Sequence, residues 1–253
     1  MGTLEGKEYR FNPKTLGSGI ITAIPQEKEC PIRCKDCFFQ SGRSYLEPLE
    51  DNLPNLPDLE ITEGRVVRVN DGNDSNINRE LVEGATEVYK DRFFNTSIPK
   101  DIGGFPGPVV LTINPANMTD ESFHKLVEPF PNNLMFVRFR TNAWNREILD
   151  EAVKYYCNGG VPIVFTFMAY HEEGDIPEEY KDLYTYKKRT SNSYWVINER
   201  GWGLIVSKYS DNPLVYTCGK DWKTHLCTRC GNCIREYFNA KERMHDCSNK
   251  KEE

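Results

Sequence analysis

The sequence predicts an α/β protein organised on a parallel sheet, and two observations carry that expectation. Five short apolar runs rich in Val, Ile and Phe recur along the 253 residues: Gly19 to Ile24, Val66 to Val69, Val109 to Ile113, Leu134 to Phe139 and Ile163 to Met168. Runs of this length and content read as strands buried on both faces. Between them stand segments with apolar residues at helical spacing. Strand and helix in alternation favour right-handed parallel crossovers, and such a sheet places its site at the carboxyl ends of the strands.

The connecting segments follow in order. Arg43 to Gly64 carries Pro48, Pro54 and Pro57, which break a helix, and four acids between Glu47 and Asp58, so it reads as a surface loop. Ile77, Leu81, Val82, Ala85, Val88 and Tyr89 form a helical stripe within Ile77 to Lys90, behind a cap at Ser75 or Asn76. Thr119 is apt to cap a further helix, with Asp120 and Glu121 at its positive end. Ile148, Leu149, Ala152, Val153 and Tyr156 make a third stripe, ended by Gly159 and Gly160. A sixth strand is expected from Trp195 to Asn198, from Gly203 to Ser207, or from both as a hairpin across Glu199, Arg200 and Gly201. No internal repeat or low-complexity tract interrupts this order.

At 38% hydrophobic and 28% charged residues, the chain is long enough for one sizeable core and a small appendage. The expected division is a core over residues 1–210 and a Cys-rich extension over 211–253. The longest apolar stretch, Val161 to Tyr170, is about half of what a membrane span needs. Met1 to Arg10 is polar, with no apolar segment behind it, so no signal peptide is expected. Nine cysteines, an odd number grouped at metal spacings, point to a reducing cytoplasm and not to a disulfide scaffold. The net charge of −6 argues against broad binding of a phosphate backbone, so nucleic acid is not an expected partner.

The chemistry concentrates just after the first run. Glu29 to Phe39 holds Cys30, Cys34 and Cys37 at CxxxCxxC spacing. A soft thiolate set suits iron–sulfur clusters and zinc, and three thiolates leave one corner of a four-ligand centre without protein. Cysteines spaced this way would also share a helix face as buried core thiols. Pro31, Arg33, Lys35 and Asp36 between them instead describe an exposed loop. Zinc would need a fourth ligand from elsewhere, and no His or fourth Cys lies nearby.

CxxxCxxC in a loop after the first strand resembles the signature of the radical S-adenosylmethionine enzymes. The resemblance implies a partial barrel of about six strand-helix units, part of a full eight-fold barrel in layout. It implies that Cys30, Cys34 and Cys37 hold a 4Fe-4S cluster whose open iron is chelated by S-adenosylmethionine. One electron, from a donor such as flavodoxin or ferredoxin, would then cleave the sulfonium and release a 5'-deoxyadenosyl radical that abstracts a substrate hydrogen. Asp36 departs from the pattern, since the family usually has an aromatic residue before the third cysteine, and here Phe38 and Phe39 follow it.

Further residues gain meaning from that resemblance. Asn70-Asp71-Gly72-Asn73-Asp74 stands where the family has a Gly-Gly-Glu-like segment that holds the methionine ammonium. Asp71, Asn73 and Asp74 are chemically apt acceptors for it, although the segment also reads as an ordinary Asn/Asp/Gly turn. After the fourth strand, Arg140 is suited to a carboxylate, and Thr141 or Asn142 to ribose hydroxyls. Arg138 and Arg140 should share one face, a costly placement without a bound anion, or else belong to a solvated rim. Tyr170, His171, Glu172 and Glu173 are candidate proton or hydrogen donors, or simply an acidic loop. Cys157 reads as structural.

The end of the chain is a second cysteine group. Cys218, Cys227, Cys230 and Cys233 follow C-x8-C-x2-C-x2-C, with Cys247, His225 and His245 close by. The two-residue steps resemble a ferredoxin-type run more than paired zinc knuckles, and Gly231 permits a tight turn between thiols. A second metal site is expected here, an auxiliary iron–sulfur cluster or zinc. Cluster-bearing tails of other radical S-adenosylmethionine enzymes are similar, but this spacing does not match the best-known pattern and carries no substrate class.

Three functions compete on these residues. The first is an enzyme that makes a carbon radical on an unknown substrate, a peptide, protein or small molecule. The second is a non-catalytic iron–sulfur electron carrier. The third is a zinc-stabilised binding module, which the near balance of charge in Lys220 to Glu253 disfavours for nucleic acid. The strand-helix repeat behind the CxxxCxxC loop favours the first.

Overall fold

A computed structural model describes residues 7–117, 126, 128–189, 193–224 and 226–249, without the side chains of 247–249. Among the described residues, ten strands run in chain order as β1 (Ile20–Ala23), β2 (Val66–Val69), β3 (Arg92–Thr96), β4 (Val109–Ile113), β5 (Leu134–Thr141), β6 (Ile163–Phe167), β7 (Ala169–Tyr170), β8 (Tyr184–Lys187), β9 (Tyr194–Ile197) and β10 (Val215–Thr217). Seven of them form one sheet in the order β1-β2-β3-β4-β5-β6-β10. Every ladder in it is parallel, and the sheet curls into a half-barrel.

Both faces of this sheet are buried, which is why its strands read as unbroken apolar runs. The helices are α1 (Leu49–Asn52), α2 (Leu59–Thr62), α3 (Arg79–Thr86), α4 (Arg146–Asn158), α5 (Glu199–Val206), α6 (Cys227–Cys230) and α7 (Asn232–Asn249). Val67, Phe94, Leu111, Phe139 and Phe165 face one way and pack with Val82 of α3, Leu149 and Tyr156 of α4 and Ile205 of α5. Their neighbours Val66, Phe93, Val110, Phe136 and Val164 face the other way, against Ile234, Tyr237 and Ala240 of α7. Crossover helices cover the convex side of a curled parallel sheet, so α7 lies on the inner, concave side. The residues expected as an extension therefore supply an edge strand, β10, and the helix that fills the curl.

Several elements differ from the sequence reading. Arg92–Thr96 is a strand that the reading missed, because its run is short and ends in Asn95 and Thr96. Trp195 to Asn198 does not enter the main sheet; β9 pairs antiparallel with β7 and β8 in a separate three-stranded sheet. Gly203 to Ser207 is not a strand, and no hairpin crosses residues 199–201. Asn198 caps α5 there by accepting the amide of Gly201 at 3.0 Å, and Ile205 turns into the outer core at helical spacing. The last parallel strand is β10, directly before Cys218.

The helix expected from Ile77 starts at Arg79, behind Asn78 in a left-handed conformation with φ 52°, and not at a Ser75 or Asn76 cap. Asn76 instead donates to the carbonyls of Ile98 and Lys100. Thr119, Asp120 and Glu121 lie outside the described residues. Residues 43–64 are no plain surface loop: Leu46, Leu49 and Leu53 form a small second core with Ile24 and Phe39. Asn55 ties this segment to the end of β1 through two backbone bonds with Ile24, at 2.8 and 2.9 Å. Among the described residues, no helix is long and apolar enough to cross a membrane.

Candidate functional site

The loop that carries Cys30, Cys34 and Cys37 lies across the carboxyl ends of the parallel strands and is held there by side chains from several of them. Asn73, after β2, donates to the carbonyl of Lys28 at 2.9 Å. Asn114, after β4, donates to the carbonyl of Lys35 at 3.3 Å, and Arg140 of β5 to that of Asp36 at 2.7 Å. From below, Phe39 is buried in the second core and half-buried Cys37 packs against it. Within the loop, Gln40 donates to the Cys30 carbonyl and the Cys37 amide to the Cys34 carbonyl at 3.1 Å. Arg33 and Asp36, each just before a cysteine, sit at φ 46° and 56°, the left-handed turns that swing the next thiol back toward the others. This gives Asp36 a backbone role where an aromatic was expected, since Asp tolerates that conformation better than a ring would.

Cys30 lies near enough to Cys34 and Cys37 for their charges to act on it. Burial pushes Cys30 up to about 11, and the neighbouring Asp74, Cys34 and Cys37 add to that. Burial likewise raises the pKa of Asp36, while both burial and the nearby Arg140 lower that of Arg43.

The six residues matched to S-adenosylmethionine all have bonds within the protein. Asp71 pairs with Arg68 at 2.5 Å and accepts from Asn12. Asp74 is buried and accepts from Thr96 Oγ1, from the Ser97 amide and hydroxyl and from the Asn76 amide. Asn73 holds the cysteine loop and accepts the Asp74 amide. Thr141, fully buried, bonds Asn145, and Asn142 accepts the amides of Trp144 and Asn145 where α4 begins. Arg140 holds the cysteine loop, as above. Tyr170 is buried between Trp144 and Tyr184 and accepts from Asn142 at 3.1 Å. Glu173 pairs with Lys181 at 3.6 Å, and the buried Nε2 of His171 has no partner. Cys157 is half-buried in the last turn of α4 against the outer core.

The inner face holds residues that the sequence reading passed over. Along β2 and β5 the alternation that turns Val66 and Phe136 inward also turns Arg68, Asn70, Arg138 and Arg140 inward. Arg138 donates to Asn95 of β3 at 3.1 Å. Arg68 Nε, Asn70 Oδ1 and Thr166 Oγ1 are buried there without a hydrogen-bond partner. The signal for Arg68 was available: one charge in the otherwise apolar run Val66-Val67-Arg68-Val69 marks a special inward position.

The tail thiols meet this polar strip. The Cys218 amide continues the β6–β10 ladder to the carbonyl of Phe165 at 2.7 Å, and Cys218 and Cys233 pack with the inner core. Cys227 is tied to the N-terminal segment through the carbonyl of Lys14, at 2.9 Å. Burial pushes Cys227 up to about 11 against the opposing pull of Arg68; burial also raises Cys233, which faces Arg68 and Arg138. Burial alone would lower the Arg68 pKa, but Asp71 and then Cys227, Cys233 and Cys218 more than offset it and hold the guanidinium charged.

All eight cysteines with described side chains are free thiols. Among the described residues, no three His, Cys, Asp or Glu side chains come together as the shell of one ion. A tetrahedral zinc with Zn–S bonds of about 2.3 Å needs its sulfurs about 3.8 Å apart. In a 4Fe-4S cluster each thiolate holds a different iron, and the sulfurs stand wider. Both thiol groups fit the second arrangement in donor chemistry, and the partnerless polar atoms beside them fit a bound polar group. His225 and the side chain of Cys247, the alternative tail ligands, lie outside the described residues. No family model, curated protein or solved structure matches the chain.

Proposed function

We propose that the chain is a radical S-adenosylmethionine enzyme. The observation that carries this reading is the placement of three thiols on one loop across the carboxyl ends of a parallel half-barrel, tethered by β2, β4 and β5. That rim is where α/β sheets bind ligands. Cys30, Cys34 and Cys37 would hold a 4Fe-4S cluster, which when bound supplies the electron that splits S-adenosylmethionine into methionine and a 5'-deoxyadenosyl radical. The tail thiols would hold a second metal group.

The chain's own residues then bind and orient. Asn70, with its open Oδ1 at the end of β2, is placed to accept from an ammonium, flanked by Asp71 and Asn73. Thr166 Oγ1 offers a second open polar atom on the same face. Behind the rim, in the outer core, buried Tyr170 and Tyr184 pack with half-buried Trp144 and brace the ends of the strands. The hydrogen donor would be a peptide, protein or small molecule, and flavodoxin or ferredoxin the class of electron donor.

The test is anaerobic reconstitution followed by electron paramagnetic resonance. The reduced protein should give a 4Fe-4S signal that changes on adding S-adenosylmethionine, and a chain with Cys30, Cys34 and Cys37 all replaced by Ala should lose that change. A wild-type spectrum indifferent to S-adenosylmethionine would overturn the proposal.

A further inference from the structure

We propose that Cys218, Cys227, Cys230 and Cys233 hold an iron–sulfur cluster inside the curl of the sheet, and that Arg68, with Arg138 beside it, is the cation that sets its reduction potential. This rests on the reading of the tail as a metal site and not on the fate of S-adenosylmethionine.

Two observations converge. First, the tail does not hang from the barrel: β10 is the sheet's edge strand and α7 packs on the inner face, so Cys218 and Cys233 pack in one cluster with Val66, Val110 and Val164. Second, Arg68 is only 7% exposed, yet Asp71 and the thiols of Cys227, Cys233 and Cys218 all interact with it. One of its N–H groups, Nε, has no acceptor, and Thr166 Oγ1, also without a partner, lies on the same face. A buried donor left without an acceptor costs about 1–3 kcal/mol, more for a charged group, so a bound acceptor is called for.

The charges agree with this assignment. A cluster held by four thiolates is net negative, and reduction adds a further negative charge in a buried place. Arg68 and Arg138 turn inward from β2 and β5, toward the face on which Cys233 packs, and the charge of each favours its thiolate. A fixed cation favours the reduced form and raises the potential, and a hydrogen bond to a cluster sulfur acts the same way. Cys230 borders a cavity of 340 Å³ with Trp202, Tyr216 and Arg229. Along β5, Arg138 and Arg140 are two residues apart, about 6.6 Å.

The experiment uses the full chain with Cys30, Cys34 and Cys37 replaced by Ala, reconstituted anaerobically with iron and sulfide. Iron, sulfide and zinc are counted, and the potential is measured by a spectroscopic redox titration. The expected result is retained iron and sulfide, with Arg68→Met lowering the potential by a tenfold change in the one-electron equilibrium, 59 mV, and Arg68→Lys recovering part of it. Arg138→Met should shift it the same way by less. If Arg68→Met leaves half-buried Asp71 without its ion pair and fails to fold, Arg68→Met with Asp71→Asn removes both charges and decides the matter. Zinc, or no metal, would overturn the cluster; retained iron with an unmoved potential would overturn the role of Arg68. The response to S-adenosylmethionine is read separately on the wild type, so neither result decides the other.

Discussion

Arg140→Met tests whether the cysteine loop is held from the sheet. The guanidinium donates to the Asp36 carbonyl at 2.7 Å, 104 residues away in sequence, and methionine keeps most of the apolar stem while removing the donor. A hydrogen bond from a charged group contributes about 1.5–3 kcal/mol. Arg140 is only half-buried, so the low end applies, and about 1.4 kcal/mol is a factor of ten in an equilibrium. The loop should therefore open about tenfold more often. The Cys37 amide, which closes the loop on the Cys34 carbonyl, is the reporter, and hydrogen exchange of the metal-free protein is the assay. Its exchange should quicken about tenfold, while the Val164 amide in the sheet stays as it was. An unchanged rate at Cys37 would refute the tether; equal acceleration at both amides would mean that the variant had loosened the fold as a whole.

Two further outcomes follow from the geometry around the same loop. In Gly72→Ala the new methyl would meet the Phe39 ring at 2.0 Å, and Phe39 is buried, so the ring must move; overpacking of this kind costs about 1–3 kcal/mol. Chemical denaturation should register that loss, and a variant as stable as the wild type would show that the β2 turn and the loop are not in register. The metal-free protein should also weaken in alkali. Cys30 and Cys227 rise from 9.0 to about 11 on folding, so their contribution is whole below pH 9.0 and is lost as pH climbs through 11. Replacing both with Ala should flatten the fall in denaturation midpoint over that window relative to the wild type, and an equal fall would show the thiols to be solvated.

The fold class was legible because a strand buried on both faces must be apolar at nearly every position, and five of the seven main strands showed it. Arg92–Thr96 and Val215–Thr217 escaped, being short and partly polar, and Gly203 to Ser207 misled because Leu, Ile and Val serve a helix as readily as a strand when a cap precedes them. Cysteine spacing was equally local: CxxxCxxC and the four-cysteine tail announce metal chemistry without any knowledge of the fold.

The partners of those groups could not be read from spacing. Arg68 meets the tail thiols, some 150 residues on, only because the sheet curls and α7 returns through its concave side. Asp74 looked like a ligand for an ammonium, yet it accepts from Thr96 and Ser97, which become its neighbours only once β3 pairs with β2. Local pattern reflects the period of a strand or helix and the reach of adjacent side chains, so the sequence alone determines the element types and the thiol groups. Which charge faces which thiol depends on sheet register and curvature, which arise from the packing of residues far apart in the chain, and so only the tertiary structure decides it.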